Sequence, residues 1–273
     1  MDTIVFKESG DFSDIAHYFH FMELLLIAIV KLEKLKIDPK NIKTISIPHW
    51  PHESWKGKEQ PHNEWIIKKV FPNAIVNHVD DPNGLLVDRG NYPSGKINKT
   101  WRTFIRDFNP YYWHNLVRLD LPINKKPVVT YINRQGAARR RLSDSTHQKI
   151  VNLLKDHPDI VFHDVAMEKY SFEEQVRLVQ STDLLIGVHG NGLTHAAFMK
   201  PHGNVIEIFV PGITFHWDYY TTSKMMCHEY TCIFNGSPTL PYMFTLGNAV
   251  CQQDDIPVEI IIGTIEQIKQ EKS

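Results

Sequence analysis

Apolar positions along the second half of the chain come in short runs separated by stretches of helical spacing. Val128 to Ile132, Ile160 to Val165, Leu184 to Val188 and Asn204 to Phe209 are strand-length runs. Between them, Thr146 to Lys155 reads as a helix, and Ser171-Phe-Glu-Glu174 has capping-box spacing ahead of a helix with Phe172, Val176 and Val179 on one face. This βαβα order predicts a parallel sheet covered by helices. A strand-like run, Tyr230 to Phe234, and an amphipathic helix near Pro257 to Lys269 complete that half.

The first half is also α/β, with a less regular rhythm. Ile4 to Phe6 is a short apolar start, and Ser13 or Asp14 can cap a helix whose Ile15, Phe19, Met22, Leu26 and Ile29 recur at helical spacing to about Leu35. Ile42 to Ile47 and Ala74 to Val79 read as strands, and Gly90 to Trp113 as an aromatic, irregular stretch with a helix near Thr103. The composition shifts at Leu121 to Pro127, which marks a linker. We therefore expect an N-terminal domain over 1–124, a C-terminal domain over 125–256, and a terminal helix over 257–273 with the option of packing back on the first domain. Two such halves facing one another would leave a cleft, a frequent place for ligands.

Composition narrows the function classes. The 273 residues are 42% hydrophobic and 22% charged, the signature of a folded globular chain. Lys plus Arg (30) nearly balance Asp plus Glu (31), so no overall field favours nucleic acid or an anionic membrane, and any anion site must be local. The apolar run Leu24 to Val30 is far short of the roughly 20 residues that span a bilayer. Three cysteines with no CxxC pair, and no secretory signal, make a thiol-reducing cytoplasm the simplest expectation. Asn98-Lys-Thr100 and Asn235-Gly-Ser237 fit the N-glycan acceptor pattern, which matters only in a secretory lumen.

Candidate chemistry gathers at predicted strand ends. The run Leu184 to Val188 meets His189, Gly190, Asn191 and Gly192, followed by a small-residue helical segment, Leu193 to Met199. Such a turn lets helix-initial N–H groups approach a phosphate, although HGNG is not dinucleotide spacing and an ordinary βα turn is the alternative. Four arginines, Arg134, Arg139, Arg140 and Arg141, follow the strand Val128 to Ile132, where open α/β sheets bind ligands. Their planar forks suit phosphate oxygens. Glu207 lies inside the apolar run NVIEIF, where a carboxylate needs a partner or solvent; ribose hydroxyls would be one partner. His20 and Glu23 share a helix face, as a satisfied structural pair or a general base. Asp80 and Asp81 end a predicted strand, as turn caps or as acids with a raised pKa. Trp50 and Trp55, in a ring-dense segment with His49, His52, His62 and Trp65, could stack on sugars or pin a loop.

INR(x4)RR over Ile132 to Arg140, then EEQVRLVQSTDLLIGVHGNGLTHAAFMKP, then VIEIF, resembles the signature of glycosyltransferase family 61, which includes plant core β1,2-xylosyltransferase and an EGF-domain O-GlcNAc transferase. HYFHFMEL, from His17 to Leu24, is similar to that family's N-terminal histidine and acid motif. The resemblance implies a GT-B-like fold, two Rossmann-like domains facing across a cleft. It implies an inverting, metal-independent transferase that moves a sugar from a UDP-sugar to a hydroxyl of a glycan or glycoprotein, with xylose favoured and N-acetylglucosamine next. Arg134 and Arg139 or Arg140 would meet the donor phosphates, His189, Gly190, Asn191, Gly192 and Leu193 would form the nucleotide loop, and Glu207 would hold the ribose. His20 and Glu23 would face the acceptor, with the base open among Glu23, His20, Asp80 and Asp81. The chain departs from the pattern in carrying Asn191 where many members have Ala, and no metal-binding DxD triplet occurs. A UDP-sugar epimerase of similar fold and a non-catalytic carbohydrate- or nucleotide-binding module are the rival readings.

Overall fold

The computed structural model describes residues 1–7, 18–47, 61–77, 79–88, 99–137, 140–210, 218–235, 249–252 and 258–273, in two compact units, Met1–Val117 and Arg118–Ser273. The boundary falls a few residues before the linker expected at Leu121 to Pro127.

In the first unit the elements run β1 (Thr3–Lys7), α1 (Tyr18–Leu35), β2 (Thr44–Ser46), α2 (Pro61–Val70), β3 (Ile75–Asn77), β4 (Leu85–Asp88), α3 (Lys99–Asp107) and α4 (Pro110–Val117). The four strands are parallel, in the order β3-β2-β1-β4. Helix α1 is apolar almost all round, with Phe19, Phe21, Met22, Leu24 to Val30 and Leu32 buried, which makes it a core helix rather than a surface one. It ends in a Schellman arrangement: Ile37 N–H donates to Leu32 C=O (2.9 Å), Lys36 N–H to Glu33 C=O (3.0 Å), and Lys36 takes φ 57° where glycine is usual. A helix that follows a strand in a parallel sheet starts at the sheet's carboxyl edge. That places the first turns of α1, with His20 and Glu23, at this edge.

Helix α2 occupies part of the ring-dense segment that reads in sequence as loop. Its start and stop signals are ordinary, with Pro61 at the first position, Glu64 in the first turn and Lys68 and Lys69 in the last, while Asn63, Ile66, Ile67 and Val70 form its buried face. Helix α4 begins inside the stretch read as irregular and runs past its end, opened by Asn109, whose Oδ1 accepts from Tyr112 N–H at 3.1 Å.

The second unit contains β5 (Val128–Ile132), α5 (Asp144–Lys155), β6 (Val161–Val165), α6 (Phe172–Gln180), β7 (Leu184–Val188), a 3-10 helix (Asn191–Phe198), β8 (Asn204–Phe209), α7 (Asp218–Met225), β9 (Glu229–Asn235), β10 (Ala249–Gln252) and α8 (Val258–Lys272). Its six strands are all parallel, in the order β10-β9-β8-β7-β5-β6. Every residue of β5, β7 and β8 is buried, the pattern of strands covered on both faces. The capping box at Ser171 forms in full, Ser171 N–H donating to Glu174 Oε2 at 2.8 Å. The terminal helix packs on this unit's own core: Ile261, Ile265 and Ile268 join Val129, Ile150, Leu184 and Ile206 in one apolar cluster. The apolar face of this helix is buried here. Lys272 fastens its end, with Nζ 2.5 Å from Asp183 Oδ2, which also accepts from Val128 N–H at 2.8 Å.

Strand order decides where the loops of this sheet go. From β5 the chain steps outward to β6, then crosses back to lay β7 on the other side of β5. The loops leaving the carboxyl ends of β5 and β7 therefore diverge, and such a switch point is where open α/β sheets bind ligands.

Candidate functional site

The two loops at the switch point carry the arginine and glycine motifs. After β5, Asn133 folds the chain over, its N–H donating to Val165 C=O (2.7 Å) and its Oδ1 accepting from Gln135 N–H (2.8 Å). Arg134 then extends toward the loop after β7, where its Nη1 lies 3.5 Å from the His189 carbonyl oxygen. A Cβ built on Gly190 would fall 1.8 Å from that Nη1, and Gly190 has φ +152° and ψ 175°, a region open essentially to glycine alone. Gly190 thus serves twice, by its conformation and by leaving room for the guanidinium. Gly192 is also close-packed, its absent Cβ being 3.1 Å from Ile132 Cγ2.

Electrostatics at this point favour an anion. Burial lowers the pKa of Arg134, and the nearby positive charge of Arg140 lowers it further, while Tyr219 and Glu168 act in the opposite sense. Two guanidinium groups close enough to repel lie beside the start of a helix. Leu193 N–H closes the first turn onto Gly190 C=O (2.9 Å), so the N–H groups of Asn191 and Gly192 have no helical carbonyl behind them. The helical segment expected from Leu193 to Met199 is a 3-10 helix that begins two residues earlier, at Asn191, and it packs against α6 and α7.

Beneath this loop lies a buried polar hub. Glu207, wholly enclosed in β8, accepts from His189 Nδ1 at 2.5 Å on one oxygen and from the Tyr230 hydroxyl on the other. The His189 ring stacks on Phe209 (centroids 5.1 Å, 21°) and meets Tyr219 edge-on (5.4 Å, 60°). Phe209 in turn stacks on Phe234 (4.8 Å, 11°). Burial, reinforced by the Glu207 charge, pushes the hydroxyls of Tyr219 and Tyr230 well above the usual phenol range. At the other end of the 3-10 helix, His228 donates from Nε2 to Ala196 C=O (3.0 Å) and accepts Gly203 N–H at Nδ1 (3.0 Å).

The structure thus brings together Arg134, Arg140, His189, Gly190, Asn191, Gly192 and Glu207. Two residues read from sequence as donor contacts are enclosed. Glu207 has both oxygens taken by protein donors and no exposure. Leu193 is buried against Gly187 with its N–H committed. In the first unit, His20 Nδ1 lies 3.2 Å from Glu23 Oε2, with Glu23 buried and His20 half-buried. Asp81 caps its turn, Oδ1 accepting from Asn83 N–H at 2.9 Å, and Asp80 is exposed. Arg139, Trp50 and Trp55 lie outside the described residues. Sequence reasoning missed Tyr219, Tyr230 and His228. Only the apolar setting of Glu207 signalled that a buried donor had to exist somewhere.

Known proteins bear on this geometry. The chain is 28% identical over 104 residues to the EGF domain-specific O-linked N-acetylglucosamine transferase of Drosophila melanogaster, covering 38% of this chain and 19% of that protein. With the same-named proteins of Canis lupus familiaris and Mus musculus it shares 31% identity over 108 residues, 37% of this chain and 20% of theirs. The matched stretch thus spans about a fifth of the length of these curated relatives. A solved D-isomer specific 2-hydroxyacid dehydrogenase family protein from Klebsiella pneumoniae 342 aligns over 99% of this chain and 94% of its own, at 11% identity and a TM-score of 0.30, too loose a likeness to carry an argument. The profile of the family described as Glycosyltransferase 61 matches residues 18–206, well over half of the chain, and the protein therefore belongs to the glycosyltransferase 61 family.

Proposed function

We propose that the protein transfers a sugar from a UDP-sugar to a hydroxyl of a glycan or glycoprotein, with inversion at the anomeric carbon and without a metal. The observation that carries this reading is the meeting of Arg134 with Gly190 at the β5/β7 switch point, beside Arg140 and the N–H groups of Asn191 and Gly192. These groups suit a diphosphate: fixed donors and cations stabilise charge that grows on a departing UDP without reorganising. A base removes the proton of the acceptor hydroxyl, whose oxygen attacks the anomeric carbon as the bond to the diphosphate oxygen breaks. We assign the base to the Glu23–His20 pair, because Asp81 is occupied in its turn and Asp80 stands in solvent. The relatives are named for N-acetylglucosamine, which we place ahead of xylose as the donor sugar.

Arg134→Ala tests the phosphate assignment by calorimetry with UDP. Charge-assisted hydrogen bonds contribute roughly 1.5–3 kcal/mol each, so affinity should fall by about 10- to 100-fold. Unchanged affinity would sink the assignment. Incubation with a UDP-sugar and no acceptor separates the epimerase reading, which predicts conversion of the sugar where a transferase gives at most slow hydrolysis.

A further inference from the structure

Three helix ends in the first unit enclose a cavity of about 400 Å³, the size of an ordinary small-molecule site. Helix α1 supplies Glu33 from its last turns and Lys36 from its left-handed cap. A 3-10 turn, Pro39–Asn41, supplies Lys40 and its capping residue Asp38, and α4 supplies Tyr112 and Leu116, one turn apart. Each of these ends is tied down. Asp38 Oδ1 accepts from Lys40 N–H (2.9 Å), and Glu33 Oε1 accepts from the side-chain amide of Asn109 (2.8 Å), the residue that opens α4. The walls are therefore preformed, and a preformed site gives up less entropy on binding. Glu33 stands ten residues along α1 from Glu23, on the order of 15 Å at 1.5 Å per residue, so the cavity is separate from the His20–Glu23 pair.

The lining suits one chemistry best. Ile37, Leu116 and Tyr112 give it an apolar side, and its charges balance, two lysines against two carboxylates. Burial raises the pKa of the Tyr112 hydroxyl, and the carboxylates of Asp38 and Glu33, close enough to act on it, raise it further, so the hydroxyl keeps its proton. One oxygen of each carboxylate is used within the protein, and the other is spare among the described residues. The carboxylates disfavour an anion and the lysines a cation. A neutral sugar ring meets every part: its hydroxyls donate to the spare carboxylate oxygens and accept from the ammonium groups and the phenol, while its C–H face packs on the apolar side. We propose that this cavity is a saccharide site, one that holds a neutral sugar of a glycan away from the bond-forming residues. It goes beyond the transfer reaction and does not depend on the donor site.

The test is titration of the full chain with the methyl β-glycosides of glucose, xylose and N-acetylglucosamine, followed by saturation-transfer NMR. At least one should bind, and because the ligand is uncharged its affinity should hold between about 0.05 and 0.5 M salt. Tyr112→Ala removes the ring and the hydroxyl but leaves the backbone N–H that Asn109 caps, and it should weaken binding about tenfold or more. Asp38→Asn keeps the Oδ1 acceptor of the 3-10 turn while removing the charge, should also weaken binding several-fold, and carries the comparison if Tyr112→Ala fails to fold. Both variants should bind UDP as wild type does, which separates this site from the donor site. Absence of binding by all three glycosides overturns the proposal. So does binding that is unchanged in both folded variants, or that is lost in Glu23→Gln and kept in them, since the sugar would then sit elsewhere. An affinity that collapses with salt overturns it as well. Failure of the chain to bind UDP would instead count against the donor site and leave this cavity to be judged by the glycosides alone.

Discussion

Gly190→Ala adds one methyl group at the point where the two loops of the switch point touch, and its consequences separate into two parts. The first is conformational. At φ +152° and ψ 175° an L side chain is strained by about 1–3 kcal/mol, which for a unit of this size lowers the melting temperature by roughly 2–4 °C per kcal/mol. The second is steric, and it falls on a neighbour: the new Cβ would stand 1.8 Å from Arg134 Nη1 and 3.0 Å from its Cζ. The guanidinium is the end of a flexible chain, so it swings aside and gives up its place over the His189 carbonyl. We expect a melting temperature lower by about 4–8 °C for a strain near 2 kcal/mol, and UDP affinity lower by about 10-fold or more. A double-mutant cycle assigns the parts. With Arg134 already truncated to Ala, Gly190→Ala should still lower the melting temperature but cost little further affinity. Additive losses of affinity, or a Gly190→Ala single variant that melts and binds like wild type, would refute the contact.

Three further variants probe the frame and the chemistry. His228 is held neutral, and burial pushes its pKa down to about 4, against about 6.5 in the unfolded chain. Between those values the unfolded state binds more protons, so this stabilisation is complete above about pH 6.5 and is lost as the pH falls toward 4, by about 3 kcal/mol in all. Urea midpoints at both ends of that window should differ less in His228→Gln than in wild type, and equal differences would dismiss the residue as the sensor. Ile265→Ala, within the core that α8 shares with the second sheet, should destabilise by about 2–5 kcal/mol, and a loss under about 1 kcal/mol would mean that the helix is peripheral. Glu23→Gln should abolish transfer while leaving UDP affinity within about twofold of wild type, and retained turnover would move the base elsewhere.

The second unit was largely legible because its local signals agree with one another. Val128–Ile132, Leu184–Val188 and Asn204–Phe209 are apolar at every position except Thr130, Asn204 and Glu207, and they are bounded by turn residues, which is how a central parallel strand must read. Strand ends then place the arginine and glycine motifs on neighbouring loops, since β5 and β7 are adjacent. What stayed hidden was pairing across strands. Nothing local to Glu207 names Tyr230, which reaches it only because β8 and β9 are in register. Nothing local to Gly190 says that the missing Cβ makes way for Arg134. In the first unit the difficulty was different, for in α2 rings and prolines masked a helix whose buried face Asn63, Ile66, Ile67 and Val70 is in plain helical spacing. Short edge strands such as β4 carry too few residues for a period to show.

The proposed chemistry depends on one placement, that of the donor's diphosphate at the carboxyl ends of β5 and β7. A crystal structure of the protein soaked with UDP-N-acetylglucosamine measures it directly. Both phosphates should lie within hydrogen-bond distance of the Arg134 guanidinium and of the Asn191 and Gly192 N–H groups, with the His189 ring still held by Glu207. A nucleotide bound at any other edge of the sheet, with Arg134 still lying over Gly190 and no phosphate beside it, would contradict the donor site.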